Sequence, residues 1–78
     1  MTSQNEKLAE YMSARHWQWL PMVELGGLVG AWAVHSRIAD LRRDYGMHLV
    51  NRKWRREDGT VVSEYQYQPE ARQQELNL

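Results

Sequence analysis

Three histidines, His16, His35 and His48, are the residues of this 78-residue chain most suited to metal binding or proton transfer, and their spacing serves neither. They fall on three separate predicted elements, with no cysteine in the chain and no carboxylate cluster beside any of them, so they make no ligand set. Asp40 and Asp44 share a helix flank at i and i+4, but arginines surround both, and they read as ion-pair partners rather than a general acid and base. Ser13, Ser36 and Ser63 have no local base to activate them. The chain is therefore expected to be no enzyme, to hold no metal and to need no cofactor.

Basic side chains, by contrast, concentrate. Ten basic and ten acidic residues cancel over the whole chain. Residues 34–56, however, set Arg37, Arg42, Arg43, Arg52, Lys53, Arg55 and Arg56 against only Asp40 and Asp44, a local excess of five. The residues before this block carry a net charge of minus one and those after it minus four. A basic block of this kind is the local footprint that phosphate binding requires, whatever the total charge. The plainer reading is a solvated face balanced by the acidic C-terminal stretch.

Those side chains need elements to hold them. From Gly30 to Tyr45 the chain predicts one helix: at about 100° per residue, Val34, Ile38, Leu41 and Tyr45 form a buried stripe. Ser36, Ala39 and Arg43 lie opposite, with His35 and Arg42 on one shoulder. Gly46 is the expected left-handed residue past its end. Arg37 and Arg43 each stand three residues from Asp40. Arg37 suits a structural or phosphate-positioning role, whereas Arg42 and Arg43 are assigned to the partner, because exposed pairs contribute only a few tenths of a kcal/mol.

Upstream, Ser3 and Glu6 make a capping-box pattern for a first helix from about Gln4 to Arg15, with Leu8, Tyr11 and Met12 inward. The alternation of His16-Trp17-Gln18-Trp19 predicts a short extended stub with one tryptophan in the core and the other partly exposed. Pro21 opens a short second helix that Gly26-Gly27 ends or loosens, and Gly30 supplies the turn into the central helix. Downstream, Asp58-Gly59 predicts a two-residue hairpin turn with Arg55 opposite Val62 and Arg52 opposite Tyr65. In that register Val50, Trp54, Val61, Tyr65 and Tyr67 cover the helices, while Asn51, Lys53, Arg55, Glu64 and Gln66 face away. Residues 68–78 are expected to form a flexible or weakly helical tail, with Ala71, Leu76 and Leu78 offering a weak contact for a homodimer.

The run GAWAVHSRIADLR, with Gly46 and the β-like stretch after it, resembles the small winged helix-turn-helix DNA-binding domains of phages and prophages. The matching positions are Gly30, Ala31, Trp32, Ser36, Arg37, Ile38, Asp40, Leu41 and Arg42, and the resemblance covers roughly Leu8 to Tyr67. Two departures are Ala33, where the pattern often has a basic residue, and a helix one residue longer before its glycine. The resemblance implies an α+β winged helix-turn-helix: three helices followed by a two-stranded β-hairpin wing, in one domain with its core at about 4–67. In such folds a stub after the first helix commonly pairs with the end of the wing.

The expected partner is double-stranded DNA, with helix 30–45 in the major groove and the 55–59 wing on the backbone. Trp32, His35, Ser36, Ala39, Arg42, Arg43, Lys53, Arg55 and Arg56 are the candidate contacts, for a transcriptional regulator or a phage accessory factor. The alternative is a phage-encoded, protein-binding winged helix that acts as an inhibitor or adaptor, with the tryptophans as anchors. Trp32 divides the two readings most: it is core if packed on Leu25 and Val29, and a contact residue if exposed. The polar start, the lack of cysteine and the shortness of the apolar run from Leu25 to Val34 lead to expectations of a cytoplasmic location in a bacterial host and no membrane partner.

Overall fold

Ser3 starts the first helix, its hydroxyl accepting a hydrogen bond from the Glu6 N–H at 3.1 Å. The structure, a computed structural model, describes residues 3–69, so the expected tail lies outside the described residues from residue 70 onward. The elements are α1 (Gln4–Ala14), β1 (Leu20–Pro21), α2 (Met22–Val29), a 3-10 turn (Ala31–Ala33), α3 (Val34–Asp44), β2 (Leu49–Arg55) and β3 (Val61–Tyr67). They make an α+β domain with three α-helices and an antiparallel sheet of order β1-β3-β2. The sheet has three strands rather than two, because Leu20 and Pro21 pair with Tyr65 and Glu64.

The extended stub is thus displaced from the tryptophans to the two residues after them. Trp17 instead turns the chain with a positive φ of 66°, which a non-glycine residue adopts only when held there. Its N–H donates to the Tyr67 carbonyl at 2.9 Å, and its own carbonyl accepts from Gln66 Nε2 at 2.7 Å. Neither tryptophan is core: Trp17 is exposed and Trp19 half-buried.

Helices α2 and α3 also differ from expectation at their ends, α3 beginning at Val34 after the 3-10 turn instead of at Gly30. Pro21 caps α2 from outside instead of opening it, and the helix runs through Gly26-Gly27 to Val29. A pair of helical glycines costs about 1 kcal/mol each relative to alanine. Gly26 eases a close approach, since a Cβ there would lie 3.2 Å from the Ala31 Cα as the chain folds back through Gly30, whose φ is +92°. In α3 the stripe of Val34, Ile38 and Leu41 is buried, but Tyr45 is 45% exposed. The helix has already ended at Asp44, and the left-handed Gly46 swings the chain over so that Met47 enters the core, its N–H on the Leu41 carbonyl.

The hairpin loop has three residues instead of two. The Gly59 N–H donates to the Arg56 carbonyl and Gly59 has φ +89°, the pattern of a turn closed by a left-handed glycine. Every pairing therefore moves by one: Arg55 faces Val61, Arg52 faces Glu64 and Asn51 faces Tyr65. Since side chains alternate, the face that covers the helices carries Leu49, Asn51, Tyr65 and Tyr67, and Val50 and Trp54 lie on the far side.

Ile38→Ala and Leu41→Ala remove fully packed side chains from the centre of the only cluster of buried apolar residues among those described. Each should lower the unfolding free energy by about 2–5 kcal/mol in chemical melts. Tyr45→Ala, by contrast, should change it by no more than about 0.5 kcal/mol.

Candidate nucleic-acid interface

The hydroxyl of Tyr65 and Nδ1 of His35 are 3.0 Å apart, with the rings edge to face at 6.3 Å between centroids. Tyr65 is buried on the inner face of β3, so this contact fixes the His35 shoulder of α3 against the sheet, and burial raises the Tyr65 pKa. By the strand register, Lys53 and Arg55 stand on the same face as Tyr65, farther toward the hairpin tip, and both are exposed. The His35 contact and the two cations are thus on one face of the sheet, with the cations nearer the tip. His35, Ser36 and Ala39 are exposed on α3, and Trp32, in the 3-10 turn before it, is 100% exposed rather than packed on Leu25 and Val29.

The arginines divide by what already holds them. Arg42 donates from Nε and Nη2 to the Leu49 carbonyl at 3.1 and 2.7 Å, tying α3 to the first residue of β2. Its guanidinium is thus tied to the fold, a structural duty the sequence did not suggest, although the residue remains exposed. Arg43 donates to Asp40 and to both oxygens of Asp44 at 2.8 to 3.1 Å. Those hydrogen bonds and charges raise the Arg43 pKa and lower that of Asp44, but the Arg43 side chain remains 68% exposed. An exposed pair of this kind exchanges readily for another anion. Arg37, half-buried, lies 3.8 Å from Asp40, which also accepts from Asn5 Nδ2 of α1.

At the hairpin tip Arg55 and Arg56 point to opposite sides. Arg55 shares the Tyr65 face, whereas the Arg56 guanidinium lies 5.9 Å from the centroid of Trp54 on the other. Asp58 accepts from the Thr60 N–H at 2.9 Å, and this bond lowers its pKa and closes the loop.

The far face of the sheet carries a cluster that the two-residue register conceals. Glu64, only 8% exposed, accepts from Trp54 Nε1 and Arg52 Nε, both at 2.8 Å, and the Arg52 guanidinium lies 4.2 Å from the centroid of Trp19. Arg52 is thereby paired within the fold while its side chain stays 48% exposed. The hydrogen bonds from Trp54 and then Arg52 hold the Glu64 pKa below its ordinary value. A three-residue loop ending in a left-handed glycine is the one sequence signal that would have revealed this pairing.

Among the described residues no three His, Cys, Asp or Glu gather to hold a metal ion, and no helix is long and apolar enough to cross a membrane. No family model matches the chain, and neither curated proteins nor solved structures yield a match.

Two outcomes follow from the tethers. Arg42→Ala should destabilise the domain by about 1 kcal/mol in urea melts, the scale of a hydrogen bond from a charged donor at the surface. Because the Glu64 pKa is depressed on folding, its stabilisation is complete above the ordinary glutamate value of about 4.3 and fades as pH falls through the folded value. Glu64→Gln should therefore be less stable than the parent at neutral pH, with the difference shrinking at about pH 3 in melts at both pH values.

Proposed function

We propose that this chain is a small duplex-DNA-binding protein of winged helix-turn-helix type, a transcriptional regulator or phage accessory factor working in the host cytoplasm. The element order α1-β1-α2-α3-β2-β3 with β3 in the middle of the sheet supports that architecture, as does the glycine turn between α2 and α3. The resemblance of residues 30–42 to phage and prophage helix-turn-helix domains points the same way. In this reading α3 lies in the major groove and the hairpin is the wing.

The observation that carries the reading is the strand register, which puts the exposed Lys53 and Arg55 on the same sheet face as Tyr65, whose hydroxyl meets His35 of α3. Ser36 and Ala39 are small enough for close approach to base edges, and His35 and Arg43 are long enough to reach them. Lys53 and Arg55 then take phosphates of the flanking backbone. Arg43 exchanges its carboxylate partners for a guanine edge or a phosphate, while Arg42 and Arg52 support the surface from behind. Arg56, turned toward Trp54, is a weaker candidate than Arg55.

Fluorescence anisotropy against a random duplex, at about 50 and about 200 mM salt, tests the electrostatic half. Binding should weaken steeply with salt. Lys53→Ala and Arg55→Ala should each weaken it alike on all sequences and reduce the salt slope by about 0.9, with Arg56→Ala having less effect. In a binding-site selection, Arg43→Ala should relax preference at particular positions with the melting temperature nearly unchanged. Absence of binding at low salt would overturn the DNA reading, and an unaltered preference would remove α3 as the reader.

A further inference from the structure

A groove of about 510 Å³ opens between the start of α2, Ala31 and the first residues of β3. Met22, Val23, Ala31, Val61 and Val62 make its apolar lining, and Arg56 is the one charged residue among those that line it. This apolar surface is uncovered: Val23 is 87% and Val61 56% exposed, and Trp32 beside Ala31 is wholly so.

One wall of the groove is a strand edge. β1 pairs only with Tyr65 and Glu64, whereas β3 extends on to Val61. The Trp17 N–H bonds the Tyr67 carbonyl on the β1 side, and the Gln68 N–H bonds the His48 carbonyl on the β2 side. Backbone groups of successive residues alternate in direction, so the odd-numbered residues of β3 point toward β1. Val61, paired with Arg55 of β2 on one side, accordingly turns its N–H and C=O to the other side, past the end of β1, where no strand among the described residues lies against it.

An open edge in an apolar groove selects an extended chain, whose backbone adds as a further strand while alternate side chains fill the lining. The edge extends only a few residues past β1, which fits a short segment and falls well short of the roughly 800 Å² per partner that a stable folded interface buries. The single cation in the lining favours an acid on that segment. We propose that this groove is a strand-addition site for a short, extended, apolar segment of a partner protein that places an acidic side chain against Arg56. The groove wraps the edge of β3: Val61 and Ser63 of its lining share the face of Lys53, Arg55 and Tyr65, and Val62 and Arg56 belong to the other, so the proposal rests on the open backbone edge and not on DNA binding.

The test is an NMR titration of the full chain, labelled with ¹⁵N, with the blocked peptide acetyl-Asp-Val-Thr-Val-Thr-amide. Saturable shifts are expected at residues 22, 23, 31 and 61–63. N-methylation of alternate peptide amides should weaken binding about tenfold through lost backbone hydrogen bonds, as should lysine in place of the peptide's aspartate. Val61→Pro should abolish binding and leave the other resonances in place, because the Val61 N–H is not part of the β2–β3 ladder. If that variant fails to fold, the N-methylated peptide decides alone. The proposal is overturned by no shift at about 1 mM peptide, by equal binding of the N-methylated peptide, or by shifts confined to α3. It is overturned too if the groove resonances move with protein concentration alone, which would make a second copy the occupant, or with a short DNA duplex in place of the peptide.

Discussion

Tyr65 is where the sheet, the core and α3 meet. Its backbone lies in the central strand, opposite Leu20 on one side and Asn51 on the other, its ring is buried, and its hydroxyl meets His35. A domain this small has one cluster of buried apolar residues among those described, and a polar atom inside it must find a partner or bear a desolvation cost of about 1–3 kcal/mol. The partner is the ring of His35, so satisfying the hydroxyl also sets how α3 is rotated against the hairpin.

The loop at Glu57–Gly59 has nearly as wide an influence. A strand alternates with a period of two, so one extra loop residue exchanges the two faces of the pairing without altering any strand's composition. With Asn51 opposite Tyr65, Lys53 and Arg55 fall on the α3 side. Arg52, Trp54 and Glu64 fall together on the other, where they make a hydrogen-bonded group under Trp19. A two-residue turn would have turned Lys53 and Arg55 away from the helix and set Trp54 over it.

Seven cations within residues 34–56 look equivalent as a charge count, yet their surroundings give them separate duties. Arg42 closes α3 onto β2, Arg52 neutralises a buried glutamate, and Arg37 sits half-buried beside Asp40. Arg43, Lys53, Arg55 and Arg56 have no such tie to the core and are exposed, Arg43 being held by the half-buried Asp40 and the exposed Asp44. The surface offered to an anion is thus smaller than the basic block suggests, and more closely positioned.

The sequence by itself determined what local chemistry controls. The Ser3 cap, the stripe of Val34, Ile38 and Leu41, the turn at Gly30, the end of α3 before Gly46 and the presence of a hairpin at Asp58-Gly59 were all legible, because each depends on residues within a few positions. The exposure of Ser36 and Ala39, opposite the stripe, and of His35 on its shoulder is legible for the same reason. Tertiary structure alone decided the rest. Helix α2 continues through two glycines to bury Val29 beside Leu25, the third strand forms from Leu20 and Pro21 because Tyr65 and Glu64 are available to pair, and Trp32 stands in solvent because the 3-10 turn carries it away from Leu25. Strand register and arginine duty depend on partners far along the chain, and a pattern with a period of two or of 3.6 residues carries no information about which distant carbonyl or carboxylate a side chain will meet.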